Sequence, residues 1–176
     1  MVCRVSSRRN ASSMNWQFPQ GGVDGDEEPL PAALRELREE TSIPAEAVEP
    51  IAEHPAWLHY DFDRYTKERL GVSMDSYRGQ KQKYFLMRFT GTDADIALTV
   101  PGHQQEFDAY EWVPLEETPM RVVGFKRPVY ESVVAEFAPI IAREVAAAAE
   151  AGGQGAVAVG ATAGVNSNGG GEGAGR

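Results

Sequence analysis

The sequence predicts an α/β sandwich in which a mixed sheet packs against helices. Three observations favour this fold: a glycine-rich loop leads into a short acidic helix, several strand-like segments follow, and a long helix with an apolar stripe comes after them. Helices and sheets bury their apolar faces against one another, so this order predicts layers around one core. A chain of 176 residues with 42% hydrophobic content is large enough for one such domain.

The charge balance limits the class of ligand. The net charge is 17 − 26 = −9, so no overall basic field attracts nucleic acid, and a polyanion has to be held locally by metal ions and a few cationic side chains. The single Cys3 excludes an internal disulfide and favours a reducing compartment. No apolar segment is long enough to span a membrane. These features favour a cytoplasmic location, with a plastid or mitochondrion as the alternative if the natural N-terminus is longer.

The N-terminal part is predicted to be extended. A short strand is expected at residues 2–6, a turn at residues 10–13, and an extended segment up to Pro19. The glycines at positions 21–25 then allow a loop to turn tightly and to pass close to a ligand.

The acidic helix is the segment with the clearest chemistry. Pro31 suits a first helical turn and good helix formers follow it, so a helix ending near Thr41 is predicted. Glu36, Glu39 and Glu40 have the spacing i, i+3 and i+4, which places their carboxylates on one face. Because like charges repel, such a cluster is favourable only beside a cation, and a cluster of oxygens suits Mg²⁺ or Mn²⁺.

The rest of the chain divides into a folded part and a tail. A polar insertion is expected at residues 63–79 and a loop at residues 91–105. Composition changes to Ala, Gly, Ser and Asn near residue 149, so residues 1–148 are predicted to form the domain and residues 149–176 a disordered tail. The further predicted elements are a helical turn at 45–48, strands around 57–62, at 82–89 and at 109–113, and a helix at 128–148.

The acidic helix and the loop before it match the pattern G-x5-E-x7-R-E-U-x-E-E-x-G-U, in which U is an aliphatic residue. This pattern resembles the Nudix box. One position departs from it, because Ser42 stands where the box has its last glycine. The residue just past a helix end usually adopts a left-handed conformation that costs a non-glycine residue roughly 1 kcal/mol, so Ser42 is expected to lower stability without removing a ligand. The matching residues are Gly21, Glu27, Arg35, Glu36, Leu37, Glu39, Glu40 and Ile43.

The resemblance implies a Nudix-type α/β/α sandwich with a mixed sheet, and a hydrolase that uses Mg²⁺ or Mn²⁺ to cut a nucleoside diphosphate linked to another group. It implies that Glu36, Glu39 and Glu40 are metal ligands and that Glu40 is also the catalytic base. Glu106 matches the position from which relatives supply a further ligand or base. His103, close to it in sequence, is expected to be solvent-exposed.

Other residues of the box receive structural roles from the same resemblance. Arg35 is expected to pair with Glu27 and thereby to hold the loop around Gly21 on the helix.

The resemblance also implies a strand ahead of the first predicted one, because Nudix domains of this type usually begin with an extra strand. No such segment precedes Val2. Either the chain is truncated or something else fills that position in the sheet, since an unfilled position exposes backbone donors and acceptors.

Three runs, WQFPQGG, GQKQKYFL and VVGFKRPVYESVVAEFA, resemble the dinucleoside polyphosphate hydrolases of plants and the related bacterial RNA pyrophosphohydrolases. The main prediction is therefore hydrolysis of diadenosine tetraphosphate to ATP and AMP by attack of water on phosphorus. The alternatives are removal of pyrophosphate from the 5′ end of RNA, and a catalytically weak nucleotide-binding module. The expected partner is a small nucleotide, or an RNA 5′ end under the first alternative, and a monomer is favoured.

The same resemblance implies residues that bind the substrate. Lys83 is expected to contact phosphate, Phe125 to stack on a base, and Lys126 to lie beside the phosphates. Gln20 is a candidate for the polar lining of the site and Tyr84 for contact with the substrate. For Phe125 and Tyr84 the alternative is a place in the hydrophobic core.

Overall fold

The computed structural model describes residues 2–6, 16–62, 68, 79–150 and 159–167. The α-helices with described bounds are α1 (Pro29–Thr41) and α2 (Arg127–Glu150). The strands are β1 (Val2–Ser6), β2 (Trp16–Gln17), β3 (Gln20–Gly22), β4 (Val48–Glu53), β5 (Leu58–Asp61), β6 (Gly79–Phe89), β7 (Ala109–Val113) and β8 (Val159–Ser167).

The strands form two sheets. A three-stranded sheet has the order β2-β1-β7, and a five-stranded sheet has the order β3-β8-β6-β4, with β5 also paired to β6. The pairing of β3 with β8 is parallel, whereas β8, β4 and β5 each run antiparallel to β6. The five-stranded sheet is therefore mixed, as predicted.

Strand β6 divides the core into two parts. Successive side chains of a strand point to opposite faces of the sheet. Tyr84 and Leu86 belong to the cluster around α2, and Phe85 and Met87 to the cluster around α1. Helices therefore cover both faces of the sheet, and the predicted α/β/α sandwich is confirmed.

Helix α1 presents the acidic face toward β3. Pro29 lies in its first turn, where its missing N–H costs nothing, and the helix ends at Thr41 as predicted. Ala33 and Leu37 are completely buried on its apolar side. Ser42 follows with φ of 63°, which is the left-handed conformation expected at the glycine position of the box.

Strand β4 is an element that the sequence did not indicate. The sequence predicted only a helical turn at residues 45–48, and the structure has a short 3-10 helix at Ala45–Ala47 followed directly by β4. Pro50 made a strand hard to predict from the sequence, because proline is excluded from central strands and tolerated only at edges and bulges. Strand β4 is the last strand in the order of the five-stranded sheet, and its register with β6 shifts between Pro50 and Ala52.

The C-terminal segment differs from its prediction. Residues 159–167, which fall in the tail predicted to be disordered, form strand β8 in the interior of the five-stranded sheet. Small residues make this segment resemble a linker, but backbone hydrogen bonding on both edges does not depend on large side chains. Strand β8 pairs with β3 on one side and with β6 on the other.

Several other predicted elements agree with the structure. The strand at 2–6 and the strand at 109–113 have the predicted bounds, and α2 continues without a break through Pro139. Most of the polar insertion at 63–79, like the turn at 10–13, lies outside the described residues. In the described part of the chain, no helix combines the length and apolarity needed to cross a membrane.

The strained conformation of Ser42 yields a prediction for stability. Glycine adopts φ of 63° without steric cost, so Ser42→Gly should raise the melting temperature by about 2 °C. The gain is reduced because the Ser42 hydroxyl donates a hydrogen bond of 3.0 Å to the carbonyl of Ala97. Differential scanning calorimetry measures the change.

The control is Ser42→Ala, which keeps the strained backbone and loses the hydroxyl, and which should melt below the parent protein. A melting temperature of Ser42→Gly at or below that of the parent would contradict the assignment of strain. A large change in metal affinity in Ser42→Gly would contradict the conclusion that this residue lies outside the ligand set.

Candidate active site

The carboxylates of α1 are held by the backbone of β3. The N–H of Gln20 donates a hydrogen bond of 2.9 Å to Oε2 of Glu40, and the N–H of Gly22 donates one of 3.0 Å to Oε1 of Glu36. Gly21 between them is needed for space, because a β carbon there would lie 1.8 Å from Cδ of Glu36. The glycine pattern therefore lets the strand backbone approach the acidic helix closely enough to donate to it.

Arg35 ties the loop to the same helix. Its Nη2 donates to Oε2 of Glu27 at 2.9 Å and to the carbonyl of Gly22 at 2.7 Å, and its Nη1 donates to Oε1 of Glu36 at 2.8 Å. The structure thus brings Arg35 and Glu27 together. Hydrogen bonding from Arg35 lowers the pKa of Glu27.

Burial disfavours the charged form of the site carboxylates. Burial raises the pKa of Glu40 well above its ordinary value, and the charges of Glu106 and Glu36 add to this shift, although the N–H of Gln20 and the charge of Lys126 oppose it. Burial also raises the pKa of Glu36, against the opposing effect of Arg35. Ionised carboxylates therefore cost free energy in this cluster unless a cation stabilises them.

A cluster of this kind fits a divalent cation. The donor set of carboxylate oxygens is the set that Mg²⁺ and Mn²⁺ prefer. Among the described residues, no three acidic, histidine or cysteine side chains already converge as ligands. Arg35 and backbone N–H groups engage oxygens of Glu36 and Glu40 that a cation would share.

Glu39 faces a different environment from Glu40. Its Oε2 lies 3.4 Å from Nδ1 of His103, and its Oε1 lies 3.6 Å from Nη1 of Arg35. His103 is exposed. A cavity of about 680 Å³ opens beside Glu39 and is lined in part by Leu34, Arg38 and His103. Glu106 is also exposed, and it lies close enough for its charge to act on Glu40.

Lys126 is the cation placed beside this cluster. Its Nζ lies 3.5 Å from Oε1 of Gln17 and 3.4 Å from Oε1 of Gln20, and 5.1 Å from the centre of the Tyr60 ring. Burial lowers the pKa of Lys126 to about 8, with the charge of Glu40 opposing the shift. A lysine with a pKa of about 8 still carries a positive charge at neutral pH, so it can pair with a phosphate group that enters the site.

An aromatic group adjoins Lys126. Phe125 is half-buried, with its ring centre 5.4 Å from that of Tyr60 and 6.0 Å from that of Phe62. Aromatic faces next to a cation are suited to stacking on a nucleobase while the cation holds its phosphates.

Two residues predicted to bind the substrate have different places in the structure. Lys83 is buried, with Nζ 2.6 Å from Oε1 of Glu53 and 3.3 Å from the carbonyl of Pro55. Tyr84 is completely buried in the α2 cluster, where its hydroxyl donates to Oε1 of Gln82 at 2.5 Å. The prediction of substrate contact for Tyr84 is therefore wrong, and its alternative, the core, is correct. For Lys83 the structure shows an ion pair with Glu53 instead of a place among the site carboxylates.

Gln82 is a site residue that the sequence analysis missed. It is completely buried, and its Nε2 donates a hydrogen bond of 2.8 Å to Oε1 of Gln20, beside Lys126. The signal was present in the sequence as a polar residue on the same strand face as the apolar Tyr84 and Leu86. A buried amide has to be paired, so this position predicts a polar network.

Carboxylates on a helix beside a buried lysine are typical of a hydrolase that acts on phosphoanhydrides with divalent cations, because both the cations and the lysine would neutralise phosphate oxygens. A family model described as the NUDIX domain matches residues 1–133. The chain belongs to this family and is a hydrolase of the Nudix type. Nudix hydrolases generally use divalent metals such as Mg²⁺ or Mn²⁺.

Curated relatives resemble the chain over most of its length. The RNA pyrophosphohydrolase of Rhizobium meliloti is 45% identical over 139 residues, which are 77% of this chain and 80% of the relative. That of Agrobacterium fabrum is 46% identical over 135 residues, covering 75% of this chain and 76% of the relative. That of Rhodopseudomonas palustris is 49% identical over 129 residues, covering 72% and 74%.

The pair of Arg35 and Glu27 yields a prediction for acid stability. The pKa of Glu27 is lowered below 4.5 in the folded protein, so the unfolded chain binds more protons as the pH falls. The stabilisation is fully present above the unfolded pKa and is lost as the pH falls through the folded pKa. In Glu27→Gln the melting temperature should therefore fall less than in the parent between about pH 6 and about pH 3.

The control is Glu28→Gln, which changes an exposed neighbour. Melting curves recorded over that pH range should show the parental acid dependence in this control. The same dependence in Glu27→Gln and Glu28→Gln would contradict the role of Arg35 in lowering the pKa of Glu27.

Proposed function

We propose that the chain removes pyrophosphate from the 5′ end of triphosphorylated RNA. The observation that carries this proposal is the carboxylate cluster of half-buried Glu36 and buried Glu40 beside buried Lys126, which suits hydrolysis of a phosphoanhydride. Relatives that are 45% to 49% identical and carry the name RNA pyrophosphohydrolase support RNA as the substrate. They favour this alternative over diadenosine tetraphosphate, the main prediction from the sequence.

In the proposed reaction the glutamates bind the metal ions and take a proton from the attacking water. Glu36, Glu39, Glu40 and Glu106 would hold Mg²⁺ or Mn²⁺, which supplies Lewis acidity to phosphorus and lowers the pKa of the attacking water. Oε2 of Glu40 accepts the N–H of Gln20, and Glu40 is the carboxylate proposed to take the proton of the water.

Two further groups bind the substrate in this proposal. Lys126 pairs with the phosphate oxygens and is held for that role by Gln17 and Gln20. Phe125, supported by Tyr60 and Phe62, stacks on the first base. Water adds to phosphorus, and the bond between the α and β phosphates breaks. Pyrophosphate is released, and the RNA keeps a 5′-monophosphate.

A second candidate is the hydrolysis of diadenosine tetraphosphate to ATP and AMP. The observation that favours it is the net charge of −9, because an acidic protein repels a long polyanion more than a short one. The proposed site serves both substrates, since they share a polyphosphate and a terminal nucleoside. They differ in what lies beyond the first nucleotide.

A rate assay with Mg²⁺ that offers 5′-triphosphorylated RNA and diadenosine tetraphosphate side by side tests the proposal. Faster release of pyrophosphate from the RNA is expected. Faster production of ATP and AMP from the dinucleotide would establish the second candidate instead. Absence of turnover on both, with binding retained, would indicate a weakly catalytic binding module.

Glu40→Gln tests the assignment of the base. The amide keeps the shape of the side chain but is neither a good metal ligand nor a base, so kcat should fall by about 10²- to 10⁴-fold. The melting temperature should show that the fold is intact. Glu46→Gln, at an exposed glutamate beyond the end of α1, is the matched control and should keep parental activity. Retained activity in Glu40→Gln would move the role to Glu106.

Phe125→Leu tests the base platform. Stacking of an aromatic side chain on a base contributes roughly 1–3 kcal/mol, so KM for the RNA should rise by about 5- to 100-fold with a smaller change in kcat. Trp57→Leu is the control, because the Trp57 ring packs under Nζ of Lys81 and has no assigned role. Equal KM values in the two variants would contradict stacking on Phe125.

A further inference from the structure

Strand β3 is joined to the rest of its sheet through the C-terminal strand. Gln20, Gly21 and Gly22 pair in parallel with Gly164, Val165 and Asn166 of β8. Within the described ranges of the chain, β8 is the only strand that pairs with β3. The strand that carries the glycines of the site therefore depends on a segment near the other end of the chain.

The two edges of β3 have different partners. Successive N–H groups of a strand point to opposite edges, so the N–H groups of Gln20 and Gly22 point to the same edge. That edge faces α1, where these groups donate to the carboxylates of Glu40 and Glu36. The other edge is left for β8. Strand β3 thus donates to the acidic helix from one edge and pairs with β8 along the other.

Strand β8 is itself held on both sides. Gly164 is opposite Gln20 on one side and opposite Tyr84 on the other, and Asn166 is opposite Gly22 and Gln82. The segment also lies close to α1 and β1. Its backbone therefore connects β6, which carries Gln82 of the site, to β3.

We propose that β8 is a positioning element of the active site, through which β3 holds the carboxylates of Glu36 and Glu40 in place. The effect on structure follows from the pairing alone, whereas the effect on catalysis rests on the proposed function. Removal of β8 should leave β3 without a strand partner and let its N–H groups move away from the carboxylates. A shift of about 1 Å in catalytic groups can lower a rate by about a hundredfold.

Hydrogen exchange followed by mass spectrometry on the full chain tests the structural part. Peptides that cover residues 159–167 and residues 20–22 should both exchange slowly, because paired amides are protected. Exchange of residues 159–167 at the rate of an unstructured peptide would overturn the proposal, whatever reaction the protein catalyses.

Gly164→Pro tests the coupling between the two strands. Proline removes a backbone donor from the middle of an interior strand, so protection should be lost in β8 and in residues 20–22 together. Gly170→Pro, which makes the same change beyond the end of β8, is the control and should keep both protected. Unchanged protection of residues 20–22 in Gly164→Pro would overturn the proposal.

Kinetics separate a positioning role from a general loss of structure. In the fraction of Gly164→Pro that stays folded, kcat for the RNA should fall by about a hundredfold, with a smaller change in KM because Phe125 lies outside β3 and β8. Parental kcat in Gly164→Pro would overturn the positioning role. An inactive parent protein would refute the proposed function alone, and the exchange experiment would still decide whether β8 holds β3.

Discussion

The burial of like charges is the condition that organises this protein. Glu40 is only 7% exposed, and the charges of Glu36 and Glu106 act on it. Such a cluster is unfavourable without compensation, so the neighbouring structure supplies donors and cations. Backbone N–H groups of β3 and the guanidinium of Arg35 meet the carboxylates from one side. The charge that they leave uncompensated is what suits the site to divalent cations.

The sheet places the other parts of the site around this cluster. Strand β6 divides its side chains between two cores, and Gln82 links the α2 face of the sheet to Gln20. The segment that begins α2 brings Lys126 and Phe125 to the same place. In a protein with a net charge of −9, a cation and aromatic faces are thereby gathered where, under the proposed function, a polyphosphate and a base would lie.

Much of the site could be predicted from sequence because its proposed metal ligands lie close together along one helix. The spacing of Glu36, Glu39 and Glu40 places them on one face whatever surrounds the helix. The left-handed conformation of Ser42 could also be predicted from its position just past the helix end. Lys83 and Tyr84 were harder to place, because alternation along a strand shows that they face opposite ways but not which face is the site.

Local geometry was thus contained in the chain itself: the acidic helix, the close approach that the glycines permit, the long helix and most strands. These features depend on propensity and on spacings of a few residues, which sequence displays directly. The sequence did not show which segments, distant from one another along the chain, pack together. Strand β8 is ordered by pairing with segments far away in sequence, the network of Gln82 and Lys126 forms only where three segments meet, and the pKa of Glu40 depends on burial. Each of these depends on which distant residues come together, and that is a property of the folded chain.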